Sequence, residues 1–354
     1  MTATPPREKG ERKWRTEGRI SKPTYVDIAS RAGVGPATVE RVLNGRGGVR
    51  PETVERVVAA ARALDYPRRL PAEHRGLTRI EVILVRPETT FFSRLTEAFA
   101  RIAETLDASV ALHRTFMDEN DPAAIAAHIR DPGFRRAGLV LAVPNHPLVR
   151  DALRRVHAEA LPIVQIVTAS PGVEAPYVGI DNYAAGRMAG LLISRMQPRS
   201  GALIAFCHSA IYQLHRDRIR GLSDHLRDHP RPDLAFTRVF FGRDEGDLSR
   251  ELLHEALEAS PELVGLYNAG GANASLAAVL RDHPRGRNVF FVGHELTERS
   301  AAALREGVMS VVFDQAPEAQ AQRAMELMLS RLGLQERPVA NPPIRFVTVT
   351  AENV

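Results

Sequence analysis

The chain has 354 residues, 44% hydrophobic and 25% charged, the balance of a soluble globular protein long enough for about two to three domains. No apolar run approaches the ~20 residues of a membrane span, and the opening MTATPPREKGERKWRTEGRISKP lacks the apolar segment of a secretory signal, so a cytoplasmic protein is expected. Cys207 is the single cysteine, which excludes an internal disulfide and a cysteine-rich zinc site.

The charge is lopsided: Met1 to Arg79 carries 17 Lys+Arg against 9 Asp+Glu, and the remainder carries 30 against 33. A basic first fifth on a slightly acidic body is the footprint of an end that binds a polyanion. Residues 1–23 are rich in Arg, Lys and Glu without periodicity and read as a disordered tail. Its Arg7, Lys9, Arg12, Lys13, Arg15 and Arg19 are available to attract phosphates.

Residues 24–66 read as three short helices. Thr24 and Asp27 form a capping signal before Ile28, Ala29 and Ala32. Ala32-Gly33-Val34-Gly35 makes a tight turn, and Pro36 opens a second helix whose Val39, Val42 and Leu43 face inward, leaving Pro36, Ala37, Glu40 and Arg41 outward. Pro51 opens a third, with Val54, Val57, Val58, Ala61 and Leu64 on one side. Two helices joined by a short turn and closed by a third make a helix-turn-helix domain.

The run Val-x-x-Ile-Ala-x-x-Ala-Gly-Val, then Ala-Thr-Val-x-Arg-Val-Leu-Asn, then Arg-x-x-Val-x-x-Ala-x-x-Leu-x-Tyr resembles the DNA-binding headpiece of the lactose-repressor (LacI-type) regulators across almost every position of Thr24 to Tyr66. The resemblance implies that Pro36, Ala37 and, a turn later, Arg41 enter the major groove. Tyr25 and Thr38 would contact the sugar-phosphate backbone, and Asn44 would hold the following turn. An arginine can donate two bonds to guanine. The chain departs from the family in placing Gly35 at the usual capping serine, Pro36 and Ala37 where hydrogen-bonding side chains are common, and Glu40 near DNA. Base readout is therefore expected to lean on Arg41 and on apolar contact with thymine methyls. Residues 67–79 form the linker, which in the family folds on DNA as a hinge helix with a leucine wedged in the minor groove. Here Pro71 interrupts it, and Leu70 or Leu77 is the candidate wedge.

From Ile80 the texture alternates. Strands are expected at 80–85, 109–115, 138–143, 162–167, 178–181, 202–207, 235–241, 263–267, 289–293 and 311–313. Helices are expected around 95–99 and over 122–129, 148–158, 184–196, 217–226, 248–259 and 274–281. Alternation of this kind implies parallel sheets with helices on both faces, and the restarts near 180 and after 310 imply two sheets with the chain crossing between them. Residues 80–354 resemble the periplasmic-binding-protein-like effector domain of the same regulators, nearest to sugar-binding members. The resemblance assigns Phe91 and Phe92 to stacking on a sugar ring, and Arg218, Asn268, Glu295 and Gln315 to hydrogen bonding at strand C-terminal ends. Asp118-Glu119-Asn120-Asp121-Pro122 matches the turn after the second strand. Val178-Gly179-Ile180-Asp181-Asn182 matches the segment leading into the long helix of the N-terminal lobe, with Asp181 structural. Val167 and Thr168 stand where the family has an Asp-Arg clamp, Ala269 replaces an acidic residue, and Glu295 replaces an aspartate.

His294-Glu295-x-x-Glu298 lacks the second histidine of a zinc-protease helix, and His225 and His229 share a helix face without a third ligand, as at a solvated helix end. Cys207 has no evident activating partner. Neither a P-loop nor a nucleophile elbow occurs, so no enzyme, metal or cofactor is expected. The fold class is α/β: a three-helix headpiece followed by two doubly wound parallel-sheet lobes. The expected function is a ligand-responsive, homodimeric, sequence-specific DNA-binding regulator, a repressor of a carbohydrate uptake or catabolism operon. The alternative is a sugar sensor with only nonspecific DNA attachment.

Overall fold

The computed structural model describes residues 23–44, 48–64, 66, 77–209, 212–335 and 337–354. Of the expected basic tail over 1–23, residues 1–22 lie outside the described residues, as do Leu70 and Pro71 of the linker. The chain divides into two compact units at Gly76/Leu77.

The first unit holds α1 (Tyr25–Ala32), α2 (Pro36–Leu43) and α3 (Pro51–Ala63). Thr24 and Asp27 close a reciprocal capping box on α1, with the Thr24 N–H donating to Asp27 Oδ2 at 2.7 Å. Gly33 ends the helix at φ 64°, a left-handed position that a glycine adopts without the Cβ clash other residues meet. Pro36 starts α2 after Gly35, which offers no side-chain cap. Ile28, Val39, Val57, Val58 and Ala61 fill the core, and the rings of Tyr25 and Tyr66 lie 6.0 Å apart at its edge.

The second unit opens with β1 (Thr78–Val85), so Thr78 and Arg79, expected in the linker, are already strand. There follow α4 (Thr90–Thr105), β2 (Val110–Met117), α5 (Pro122–Arg130), β3 (Gly138–Leu141), α6 (Pro147–Ala158), β4 (Ile163–Ile166) and β5 (Tyr177–Val178). These strands make a parallel sheet in the order β2-β1-β3-β4-β5. A second series comprises α7 (Asn182–Met196), β6 (Gly201–Cys207), α8 (Gln213–Asp228), β7 (Leu234–Phe241), α9 (Gly246–Ala259), β8 (Leu263–Asn268), α10 (Asn273–Asp282), β9 (Phe290–His294), α11 (Glu298–Arg305) and β10 (Val311–Asp314). α12 (Pro317–Arg331) and β11 (Val347–Val349) finish the chain. The second sheet runs β11-β10-β9-β8-β6-β7, with β11 antiparallel at its edge.

The chain crosses between the lobes three times. It leaves the first sheet after β5, returns after β10 so that α12 packs its Ala321, Ala324, Met325 and Met328 on the first lobe, and leaves again to form β11. The first and third crossings run side by side, bridged at Ile180 and Ile344. The segment Val178–Asn182 therefore leads into a helix of the second lobe and not, as the sequence suggests, of the first: α7 packs along α8 and against β9. Glycines make that contact possible. A Cβ on Gly186 would stand 2.0 Å from the Arg218 carbonyl oxygen, and one on Gly221 would stand 2.2 Å from that of Tyr183. His225, expected at a solvated helix end, is instead buried against Gly190, and only His229 is exposed. α11, α12 and β11 were not anticipated.

The first sheet contains one buried carboxylate. Glu81, in β1, accepts from Thr115 Oγ1 at 2.6 Å, meets His128 Nε2 at 2.6 Å and pairs with Arg136. Burial alone would raise this carboxyl, but the bonds from His128, Thr115 and Arg136 together outweigh burial and hold it below the usual range.

Candidate functional site

Two sites emerge, one in each unit. In the first, Val39 and Val42 anchor α2 in the core, so Pro36, Ala37 and Arg41 are exposed on its outer face and Thr38 is half-buried. Asn44 closes the helix, its N–H donating to the Glu40 carbonyl at 3.0 Å, and Tyr25 sits half-buried at the start of α1. The arrangement presents one short helix, flanked by turn residues, with an arginine on its open side.

In the second unit a cavity of about 720 Å³ lies between the C-terminal ends of the two sheets, where open α/β sheets bind ligands. Phe91 and Phe92, from the first turn of α4, line one wall, edge to face at 5.4 Å. Opposite them Arg218, Glu295 and Gln315 form a chain. Arg218 donates to Asn182 Oδ1 at 2.8 Å, to the Ala269 carbonyl at 2.7 Å and to Gln315 Oε1 at 2.6 Å, and the Gln315 amide donates to Glu295 Oε1. Five of the six expected effector residues thus line the cavity. The correction concerns Asn268, which stands behind the wall: its amide donates to Asn273 Oδ1 at 2.7 Å and to the Gly271 carbonyl, fixing the loop that brings Asn273 to the lining. Asp181 caps α7 by accepting from the Ala184 N–H at 2.8 Å.

Burial shapes the titration of this lining. Glu295 is pushed up to about 8 by burial first and Asp314 second, against the pull of Gln315, Arg218 and Arg94. His215 is pushed down to about 3 by burial, and His294 falls well below its ordinary value for the same reason. His294 Nε2 lies 2.9 Å from Tyr267 Oη, while its Nδ1, Thr168 Oγ1 and Glu295 Oε2 have no hydrogen-bond partner. Cys207 is buried, its thiol pushed up to about 12 by burial, so it lacks the thiolate that reactivity needs.

Sequence reading missed a second set of residues, those that join the lobes across the cavity mouth. Arg86, just past β1, pairs with Asp244 beyond β7 at 2.8 Å and with Glu119 at 3.2 Å. Glu119 also meets His208 at 3.2 Å and accepts from Tyr212 at 2.5 Å. Arg94 reaches Asp314 at 2.8 Å and Glu318 at 3.0 Å. Arg86 follows IEVILV directly, and a charge immediately after a buried strand was a signal available to find it. Backbone conformation was not: Arg86, Val167, Asp244, Ala272 and Glu295 all adopt left-handed φ of 52° to 71°, a cost of order 1–3 kcal/mol each that concentrates at functional sites.

A small helical unit with an open recognition-type helix and a two-lobed sheet domain around a polar, aromatic-walled cavity define a regulator-like class. Residues 24–68 match the model for bacterial regulatory proteins, lacI family, and residues 80–336 match that for the periplasmic binding protein domain. The chain belongs among proteins with the periplasmic binding protein domain, and its N-terminal unit matches the lacI family of bacterial regulatory proteins. It is 29% identical over 167 residues to the HTH-type transcriptional regulator MalR of Streptomyces coelicolor, covering 46% of this chain and 48% of that one. It is 32% identical over 180 residues to an HTH-type regulator encoded in the aml 5' region of Streptomyces limosus, covering 49% and 50%. The chain thus spans about half the length of the curated relatives it matches. Its fold is that of ABC-transporter solute-binding proteins. One from Burkholderia graminis, in complex with D-arabinose, superposes with a TM-score of 0.71 at 16% identity over 80% of this chain and 98% of that one. Another from Actinobacillus succinogenes, with bound D-allose, gives 0.68 at 16% identity over 78% and 98%. Among the described residues no helix is long and apolar enough to cross a membrane.

Proposed function

We propose that the protein is a ligand-responsive, sequence-specific DNA-binding regulator, a homodimeric repressor of a carbohydrate uptake or catabolism operon that works in the cytoplasm and catalyses no reaction. The observation that carries this reading is the presence, in one chain, of a helix-turn-helix with its second helix open to solvent and a two-lobed cavity domain. Arg41 reads bases, Pro36 and Ala37 make apolar contacts, and Tyr25, Thr38 and Asn44 position the helix on the backbone. One headpiece covers a half-site, so a dimer on a near-palindromic operator is required. Phe91, Phe92, Arg218, Glu295 and Gln315 bind the effector. The solute-binding proteins of the same fold hold D-arabinose and D-allose, which supports a carbohydrate.

Effector affinity and operator affinity are then linked by a coupling free energy, since lobe closure at the cavity is transmitted toward the headpiece. The test is selection of bound fragments from a random DNA pool, followed by competition gel shift with and without a sugar panel. Enrichment of a palindromic site, with an affinity that falls steeply with salt and changes with one ligand, is the expected result. Uniform retention of all sequences would instead support a sensor attached to DNA without sequence preference.

A further inference from the structure

We propose that the cavity is built for a polyhydroxylated ligand that carries an anionic group, a carboxylate or a phosphate, seated against Arg218. This deepens, and rests on, the carbohydrate reading above. Arg218 is 2% exposed and lines the cavity. All three of its hydrogen bonds go to neutral oxygens, those of Asn182, Ala269 and Gln315, although a guanidinium has five N–H donors. Arg218 makes no salt bridge to any described carboxylate, unlike Arg86 and Arg94, whose charges are matched within 3.2 Å. A buried cation without a counter-ion is expensive unless something supplies the missing charge.

The surroundings support the same sign. The nearest carboxyl of the wall, Glu295, is reached only through Gln315, and its environment favours the protonated form at neutral pH. Asp244, which also lines the cavity, is already held by Arg86 and by the Gly271 N–H at 2.6 Å. Thr168, whose buried Oγ1 has no hydrogen-bond partner, also lines the cavity. α10 begins at the lining with Ala272, which gives its N–H groups no side-chain cap, and helix N-termini favour anions. Glu88 and Glu245 also line the cavity, but both are exposed, as are Arg243 and Arg299, so those four offset one another at the mouth.

The experiment is calorimetric titration of the full chain with matched pairs at constant ionic strength: D-galactose against D-galacturonate, D-glucose against D-gluconate, and D-glucose against D-glucose 6-phosphate, with malate as an acid that is not a carbohydrate. At least one anionic member should bind about tenfold or more tighter than its neutral parent, and the carboxylate and phosphate arms tell which anion fits. Arg218→Met should abolish that preference; if Arg218→Met does not fold, the parent chain's matched pairs decide alone. Equal or tighter binding of the neutral parents overturns the proposal and leaves the carbohydrate reading standing. Binding of malate without any carbohydrate supports the charge and overturns the carbohydrate, and binding of none of these overturns both.

Discussion

Glu295 sits behind Gln315 with one oxygen unbonded, and its raised pKa has a calculable effect on folding. A carboxyl at about 8 in the fold and near 4.5 in the unfolded chain binds more protons when folded throughout that window. Stability is therefore lost as pH rises from about 4.5 to about 8. Glu295→Gln keeps the acceptor toward Gln315 and removes the titration, so its stability relative to the parent should climb from pH 5 to pH 9 by an amount on the order of a few kcal/mol, read as a growing difference in melting temperature. A constant difference across that range would show that the group does not titrate as stated. Arg41→Ala should cost about 1–3 kcal/mol at the selected operator and leave random DNA nearly unaffected, measured by fluorescence anisotropy; an equal loss on both would make Arg41 a phosphate contact. Much of this scale was legible in the sequence. The family resemblance picked out Phe91, Arg218, Glu295 and Gln315, and all four line the cavity, although Arg218 comes from within α8 and not from a strand end. Asn268 came from the same resemblance but satisfies a turn, and Arg86 and Asp244 were lost among the many other charges of a chain that is 25% charged.

Helices meet where glycines let them, and the α7/α8 pairing is the most extensive between helices of the second lobe. Gly221→Ala places a methyl 2.2 Å from the Tyr183 carbonyl oxygen, with backbone rather than a flexible side chain in the way. It should destabilise by about 1–3 kcal/mol or more through overpacking, read as a lower denaturation midpoint at unchanged slope. Gly35 is the opposite case. Its φ of −75° suits any residue and a Cβ there would meet nothing within 4 Å, so Gly35→Ser should add a side-chain cap to α2 and stabilise the first unit by a few tenths of a kcal/mol. Protection of the α2 amides in hydrogen exchange would report it; unchanged protection would show that the serine does not cap. Most strand and helix identities were legible from period and turn residues, but α11, α12 and β11 were not. The lobe to which a helix belongs was not, because α7 and α12 both follow a crossing, and the apolar face of α12 reads the same on either sheet.

The two lobes in this structure are drawn together by side chains of the protein itself, since Arg86 and Arg94 each bridge from the first lobe to carboxylates of the second. Replacing both with alanine should leave the full chain more open in solution without effector, seen as a larger radius of gyration by X-ray scattering, with the difference shrinking when a ligand is bound. Unchanged scattering would mean that the crossings alone hold the lobes. Those crossings were foreseen in number only loosely, as two restarts of the strand pattern, because the third depends on a terminal segment with little periodicity. The return of the chain for α12 also has a bearing on how such a protein can be made or altered. Neither lobe is encoded by an unbroken stretch, so shortening the gene after β5 or after β10 strips the first lobe of the helix that covers β3 and β4. Swapping sensor halves between relatives by a single splice would accordingly yield hybrids whose α12 was shaped for a different partner, and only exchange at both boundaries keeps each hydrophobic interior with the segments that evolved to fill it.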